Sequence, residues 1–238
     1  MKKVGREDEA VNVQEAARSL GRPTPEVQAA LHDLGIPVRS PEAPLDGPSL
    51  LRLSGLFLDR GWTPRTVLYL DAYNIYWLAR HAYDAPPDFA RIPELLEGGD
   101  LPWLARAFLP NNGRANGLEA ALRRMGFRVQ AKAGKVREDG LKANFDVEIA
   151  VDAVDDLHRF RPQAVYLVSG DGDFTYLVRY LREAGCRVTV AAFPEGLART
   201  LRDAADRVVV LDQYYTRPRP DGPIGQKGMP RCLCSLWA

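Results

Sequence analysis

The sequence predicts an α/β protein, with a mostly parallel sheet that carries helices on both faces and a small helical domain before it. From residue 66 onwards, short apolar runs typical of buried strands alternate with amphipathic helical stretches. Two of those runs end abruptly in aspartate. The composition agrees, because 46% hydrophobic and 26% charged residues in a chain of 238 are typical of a globular protein.

The first 62 residues have a helical pattern. Apolar residues recur at spacings of three and four in two sets: Val13, Ala16, Ala17, Leu20 and Val27, Ala30, Leu31, Leu34. This periodicity predicts two amphipathic helices. A linker rich in proline and glycine, SPEAPLDGPS, separates them from a third apolar stretch, LLRLSGLFLDRGW. Residues 1–62 are therefore predicted to form a small helical accessory module.

Residues 63–213 contain the alternating elements of the predicted sheet domain. Strands are predicted at VLYL, FRVQAKA, AVYLVS, RVTVAAF and RVVVL, and helices at GLEAALRRMG, FDVEIAVDAVDDLHRF, TYLVRYLREAG and GLARTLRDAA. The short connections favour parallel pairing with helical crossovers. The segment GGDLPWLARAFLPNNGRANG is predicted to be a loop or an irregular insertion, and residues 214–238, rich in proline and glycine, a flexible tail.

The overall charge and the cysteine content exclude several classes of protein. The 32 Lys and Arg residues nearly balance the 31 Asp and Glu residues, which excludes a uniformly basic protein that binds nucleic acid through its total charge. Any polyanion must therefore bind to a local basic patch. No apolar run approaches the ~20 residues that span a bilayer, and no apolar segment follows the first lysines as in a secretory signal. Three cysteines, which cannot all pair, favour a reducing compartment, so a cytoplasmic protein without a membrane partner is expected.

Four aspartates are the candidate site residues. Asp71 ends one apolar strand, and Asp171 and Asp173 follow another in the turn SGDGD, whose glycines permit tight backbone geometry. Asp146 opens a helix behind Asn144. Ligands of open α/β sheets bind beyond the carboxyl ends of the strands, where these acids are expected to lie. That helix is assumed to bury one apolar stripe, which comprises Val147, Ala150, Val151, Val154 and Leu157. Asp146 then lies at the edge of the stripe, and Glu148, Asp152 and Asp156 point towards solvent.

Carboxylates that converge on one cleft repel one another, so a cation is expected between them. Hard oxygen ligands select Mg²⁺ or Mn²⁺, and such ions activate water for attack on a phosphodiester. The aspartates therefore predict metal-dependent phosphoryl chemistry. The alternative is structural, because an aspartate after a strand often only caps the next helix.

Four segments carry a family resemblance: DAYN (71–74), KANFDVEIAVD (142–152), SGDGDF (169–174) and LVRYLREAGCRVTV (177–190). Between about residues 66 and 211 the chain resembles the NYN domain, the LabA-like branch of the PIN-like nucleases. The resemblance implies a Rossmann-like PIN fold and a Mg²⁺- or Mn²⁺-dependent ribonuclease. It places the catalytic, metal-binding carboxylates at Asp71, Asp146, Asp171 and Asp173, with Asn74 supporting the first and Asp152 a further family acid. Residues 1–62 resemble, more weakly, the small helical modules that begin bacterial translation initiation factor two.

The expected RNA contacts lie beside these acids. Eight basic residues crowd one stretch against three acidic ones: Arg114, Arg123, Arg124, Arg128, Lys132, Lys135, Arg137 and Lys142. The segment AKAGKVREDGLK within it predicts a basic hairpin at the mouth of the site, with Lys135 and Lys142 on the phosphate backbone. Tyr73, between Asp71 and Asn74, is the favoured residue for stacking on unpaired bases; Tyr76, Trp77, Phe145 and Phe174 are further aromatics near the acids. The alternatives are a solvated helix face and core aromatics.

The leading hypothesis is a cytoplasmic, metal-dependent endoribonuclease that acts on RNA. A non-catalytic RNA-binding or regulatory module with the same fold is the alternative from another class. A third class, an aspartyl-nucleophile phosphatase, needs a second acid two residues after the nucleophile. Tyr73 occupies that position after Asp71, which argues against this class. The sequence leaves open a homo-oligomer.

Overall fold

The computed structural model describes residues 11–96, 101–111, 117–137, 140–142 and 144–217, and the side chains of 135–137 and 140–142 are outside this description. Three helices come first: α1 (Val13–Ser19), α2 (Thr24–Asp33) and α3 (Gly47–Asp59). Asn12 and Glu15 form a reciprocal capping box at the start of α1, and the Asp46 side chain caps α3. None of the described helices is long and apolar enough to cross a membrane.

A six-stranded parallel sheet forms the centre of the protein. The described strands are β1 (Thr66–Asp71), β2 (Trp103–Asn111), β3 (Arg128–Ala133), β4 (Lys135–Arg137), β5 (Gly140–Lys142), β6 (Ala164–Val168), β7 (Arg187–Ala192) and β8 (Arg207–Val210). The sheet has the order β3-β2-β1-β6-β7-β8, and β4 and β5 form a separate antiparallel hairpin. The predicted α/β class with a parallel sheet is confirmed, and so is the hairpin in AKAGKVREDGLK.

Helices cover both faces of the sheet, as predicted. They are α4 (Ala72–Tyr83), α5 (Gly117–Arg124), α6 (Asp146–Phe160), α7 (Thr175–Glu183) and α8 (Arg199–Ala204). Successive residues of β1 point to opposite faces: Leu68 and Leu70 enter a core shared with α4, and Val67 and Tyr69 enter a second core shared with α6 and α7. A strand that is buried on both faces reads as a continuous apolar run, which is why β1 was predictable.

The N-terminal helices share the first of these cores. Val13, Leu31 and Phe57 are buried in the same cluster as Leu68 and Leu109 of the sheet, and α3 packs on β2. The burial of these apolar side chains ties the helices to the sheet. The division of the chain at residue 62 stays a prediction about its organisation.

The expectation of a loop or irregular insertion in residues 98–117 is wrong for most of the residues that the structure describes in that segment. Trp103–Asn111 form β2, which pairs in parallel with β1 on one side and with β3 on the other. Ala105, Ala107 and Leu109 face one core, and Leu104 and Phe108 face the other. Pro110 and Asn111, residue types that are common in loops, lie at the carboxyl end of this strand. Residues 98–100 and 112–116 lie outside the described residues.

The stripe assumed for α6 is wrong at two of its five positions, whereas Leu157 is buried and Ala150 and Val154 pack partly buried against the core as assumed. Val147 and Val151 are 70% and 60% exposed, and the buried residues are Ile149, Ala153, Asp156 and Leu157. Asp156, which was expected to point to solvent, is fully buried. Arg106 Nε and Nη2 donate hydrogen bonds to its carboxylate at 2.7 and 2.6 Å, and the Tyr69 hydroxyl donates a third at 2.8 Å. This charge-assisted pairing turns a charged side of the helix towards the sheet.

Candidate metal centre

The candidate site lies where the strand order reverses. The chain builds the sheet from β1 outwards to β3, then returns to the centre and builds from β6 outwards to β8. The carboxyl ends of β1 and β6 are therefore neighbours, and the crevice beyond them is the usual ligand site of such sheets. Asp71 ends β1, and the turn that contains Asp171 and Asp173 follows β6. The topology brings two distant parts of the sequence to one edge.

Three of the four predicted aspartates form a compact carboxylate group. One oxygen from each of Asp146, Asp171 and Asp173 lies within 4.8 Å of the other two. Oxygen ligands lie about 2.0–2.6 Å from Mg²⁺ or Ca²⁺, so two ligands of one ion are at most about 5 Å apart. The donor chemistry and the spacing of this group fit a hard divalent cation.

Local hydrogen bonds set the direction of these side chains. Asp171 Oδ1 accepts from the Asp173 amide at 3.0 Å, and Ser169 Oγ accepts from the Asp171 amide at 3.3 Å. Asn144 Oδ1 accepts from the Asp146 amide at 2.8 Å, which fixes the first turn of α6. The Asp171 carboxylate thus also caps a short helical turn, as the structural alternative expected. A carboxylate has two oxygens and several lone pairs, so it can cap a turn and still bind an ion.

Gly170 and Asn74 join the two strand ends. Asn74 Oδ1 accepts a hydrogen bond from the Gly170 amide at 3.0 Å. A Cβ on Gly170 would lie 2.2 Å from the carbonyl oxygen of Gly196, so only glycine fits. The glycine is needed for this close backbone approach. The side-chain oxygen of Asn74 thus holds the turn that carries Asp171, while its backbone amide donates to Asp71. Its support of the Asp71 ligand and its contact with substrate stay predictions.

Asp71 lies next to the carboxylate group but outside its 4.8 Å limit. The residue is only 8% exposed, and its Oδ1 accepts a hydrogen bond from the Asn74 amide at 3.0 Å at the start of α4. Burial raises the pKa of Asp71 to about 7, helped by repulsion from Asp146 and Asp171, although the hydrogen bond from Asn74 lowers it. Asp71 therefore belongs to the same electrostatic unit as two members of the group.

Mutual repulsion also affects Asp146. Burial raises the pKa of Asp146, the Asn144 side chain opposes that rise, and Asp171 and Asp173 add to it. A cation near the three carboxylates would favour their ionised forms. The mutual repulsion of these carboxylates thus favours the binding of a cation.

The NYN domain family model matches residues 65–212, more than half of the chain. The chain belongs to the NYN domain family. The family has a PIN-like nuclease fold, its members are generally nucleases that typically use divalent metals, and membership implies RNA binding. The predicted recognition is therefore confirmed at the level of the family.

Two relatives and one solved structure resemble this NYN protein. The Low amplitude and bright protein LabA of Synechococcus elongatus is 28% identical over 66% of this chain and 91% of its own length. An uncharacterized protein of Methanocaldococcus jannaschii is 29% identical over 56% of this chain and 51% of its own. The crystal structure of a protein of unknown function from Vibrio parahaemolyticus covers 65% of this chain and 97% of its own, at 27% identity and a TM-score of 0.56.

The other predicted site residues lie around the NYN domain's sheet edge. Tyr73 is half-buried and its ring meets Trp77 edge-on at 6.1 Å. Lys135 and Lys142 pair through their backbones in the β4–β5 hairpin, but their side chains lie outside the described part. Asp152 is turned towards the sheet, and its carboxylate lies 3.6 Å from Arg106 Nη1. Asp152 is thus an ion-pair partner of Arg106, outside the group of three.

The expected basic flank is partly neutralised within the NYN domain. Arg123 pairs with Glu119 at 2.9 Å, Arg128 with Asp59 at 3.4 Å, and Lys132 with Glu148. Each pair reduces the positive field offered to a phosphate backbone. Arg114 lies outside the described residues.

Three aromatic candidates are core residues of the NYN domain. Tyr76, Phe145 and Phe174 are at most 5% exposed and cannot stack on a base without unfolding their surroundings. The prediction missed an aromatic that is available: Tyr176 is 81% exposed, three residues after Asp173. Its position in the first turn of a helix directly after the SGDGD turn was the sequence signal that could have found it.

Proposed function

We propose that this NYN domain is a metal-dependent endoribonuclease that hydrolyses RNA phosphodiester bonds. The observation that carries the proposal is the group of Asp146, Asp171 and Asp173 at the switch point of a sheet whose family is generally nucleolytic. A Mg²⁺ or Mn²⁺ ion bound there would activate water and stabilise the leaving oxygen of a phosphodiester.

Asp146, Asp171 and Asp173 would hold the ion. Two of them come from one short turn and the third from the first turn of α6, so the site needs both elements in place. Asp71 is the fourth carboxylate of the proposed set. Its neighbours Asp146 and Asp171 repel it when no cation is present, and a cation would favour its ionised form. Asn74 would act as a positioning residue through its bond to Gly170.

The proposed RNA contacts surround this acidic centre. Tyr73 lies in the first turn of α4 beside Asp71, where an unpaired base could stack on its ring. The β4–β5 hairpin, which carries Lys135 and Lys142, follows β3 at the carboxyl edge of the sheet and packs near β2. Cationic side chains at that edge would bind phosphates and leave the carboxylates to the ion.

The test is cleavage of labelled single-stranded RNA with Mn²⁺ or Mg²⁺, and with EDTA. We expect cleavage by the wild type, none in EDTA, and a loss in Asp171→Asn and Asp71→Asn. Asp155→Asn is the matched control, because Asp155 is an exposed carboxylate on α6 that pairs with Arg159 at 3.4 Å, outside the group.

Two outcomes would contradict the proposal. The first is an absence of metal-dependent cleavage in the wild type, and the second is cleavage that persists equally in both site variants. RNA binding without cleavage would favour the non-catalytic RNA-binding module.

A further inference from the structure

An apolar groove runs between α6 and α7 and ends at the carboxylate group. Its volume is about 310 Å³, close to the lower end of the range for ligand pockets. Ala150 and Val154 line it from α6, and Tyr176 and Tyr180 from α7. Asp146 and Asp173 line the same groove and also belong to the carboxylate group. The groove and the candidate metal centre are therefore one continuous surface.

Tyr176, which lines this groove, is the most exposed large hydrophobic residue in the described part of the chain. Four large hydrophobic residues in the described part are strongly exposed: Tyr176 at 81%, Val147 at 70%, Val151 at 60% and Val210 at 39%. The first three lie on α6 and α7, and only Val210 lies elsewhere, on β8. Scattered exposed apolar residues are normal, but an exposed aromatic ring in an apolar groove beside a polar site is typical of a binding surface.

We infer that this groove binds unpaired nucleobases of a single-stranded RNA, with Tyr176 as the principal stacking residue. The inference rests on the proposed function for its substrate class. A phosphodiester placed at the carboxylates brings its neighbouring nucleotide to Asp146 and Asp173, where the groove begins. The exposed ring of Tyr176 offers an aromatic face there, and stacking on such a face accepts any base.

Charge at the groove argues against a second copy of the chain as its occupant. A protein partner seated on this face would cover Asp146 and Asp173 and remove their carboxylates from water. Burial of unpaired carboxylates is costly. A nucleobase covers only the apolar part and leaves the acidic end open to a cation.

The test measures equilibrium binding of a fluorescently labelled single-stranded RNA to the full chain in EDTA, where no metal-dependent cleavage interferes. Loss of the stacking interaction with one base is expected to weaken binding about 5- to 150-fold. Tyr176→Ala, which removes the aromatic ring, should therefore weaken RNA binding by a factor in this range. Tyr176→Phe keeps the ring and should bind like the wild type. Val210→Ala is the matched control for loss of an exposed apolar side chain and should have no effect.

A second pair of measurements separates the possible failures. If Tyr176→Ala binds single-stranded RNA as tightly as the wild type, the inference is wrong, whether or not the wild type cleaves RNA. If Tyr176→Ala weakens binding but the wild type shows no metal-dependent cleavage, the groove inference stands and the nuclease proposal fails. If the wild type is a dimer in sedimentation equilibrium, and Ala150→Asp in the groove makes it monomeric without weakening RNA binding, the groove is an interface between copies and the inference is overturned.

Discussion

Replacement of Asp71 by asparagine should stabilise the metal-free protein while it removes activity. Asp71 is 8% exposed at the end of β1 and lies in the repulsive field of Asp146 and Asp171. Asparagine has nearly the same shape, and its Oδ1 can still accept the Asn74 amide that caps α4. The substitution therefore removes an unfavourable buried charge and keeps the local hydrogen bond.

The pKa of Asp71 determines the magnitude and the sign of the difference in stability between Asp71→Asn and the wild type. In the unfolded chain this carboxyl ionises near its ordinary value of 3.8, whereas in the folded protein it stays protonated up to about pH 7. The wild type therefore loses stability as the pH rises through this window. At about 1.36 kcal/mol per pH unit, the loss is about 2 kcal/mol at pH 5 and about 4 kcal/mol above pH 7. Asparagine does not titrate, so the advantage of Asp71→Asn should grow by these amounts.

Urea unfolding followed by tryptophan fluorescence, in EDTA between pH 4 and pH 8, measures this difference. Asp155→Asn makes the same chemical change at an exposed position and should track the wild type at every pH. Added Mn²⁺ should narrow the gap at pH 8, because a cation at the group offsets the repulsion on Asp71. The reasoning is refuted if the difference between Asp71→Asn and the wild type is independent of pH, or if the variant is the less stable protein at pH 8.

Three further predictions concern stability and metal binding. Asp156→Ala leaves the Arg106 guanidinium without its buried partner and should cost about 3–5 kcal/mol in urea unfolding; a cost equal to that of Asp155→Ala would contradict the buried network. Gly170→Ala places a Cβ against the Gly196 carbonyl and should cost about 1–3 kcal/mol; an unchanged Tm would show that the turn yields without strain. Mn²⁺ should raise the Tm of the wild type more than that of Asp146→Asn, and equal shifts would argue against the carboxylate group as the ion's site.

The sequence predicted five of the six strands of the sheet, and four of them, β1, β6, β7 and β8, are apolar runs bounded by turn residues. Such runs are typical of parallel strands buried on both faces. β2 was not predicted as a strand, because Arg106 interrupts its apolar pattern and Pro110 ends that pattern. Arg106 is tolerated in this inner strand because Asp156 pairs with it from α6, fifty residues later in the chain. That partner becomes visible only when the fold brings the two elements together.

The same buried pair explains why the site was predicted better than the surface around it. The aspartates at the ends of β1 and β6 follow from local sequence and from the rule that parallel strands present their carboxyl ends at one edge. The orientation of α6 does not follow from its apolar residues, since the Arg106–Asp156 pair turns Val147 and Val151 outwards. This rotation leaves the two valines exposed to solvent. The exposed apolar side of α6 is thus a consequence of one buried ion pair, which a periodicity argument that assigns every charge to solvent does not predict.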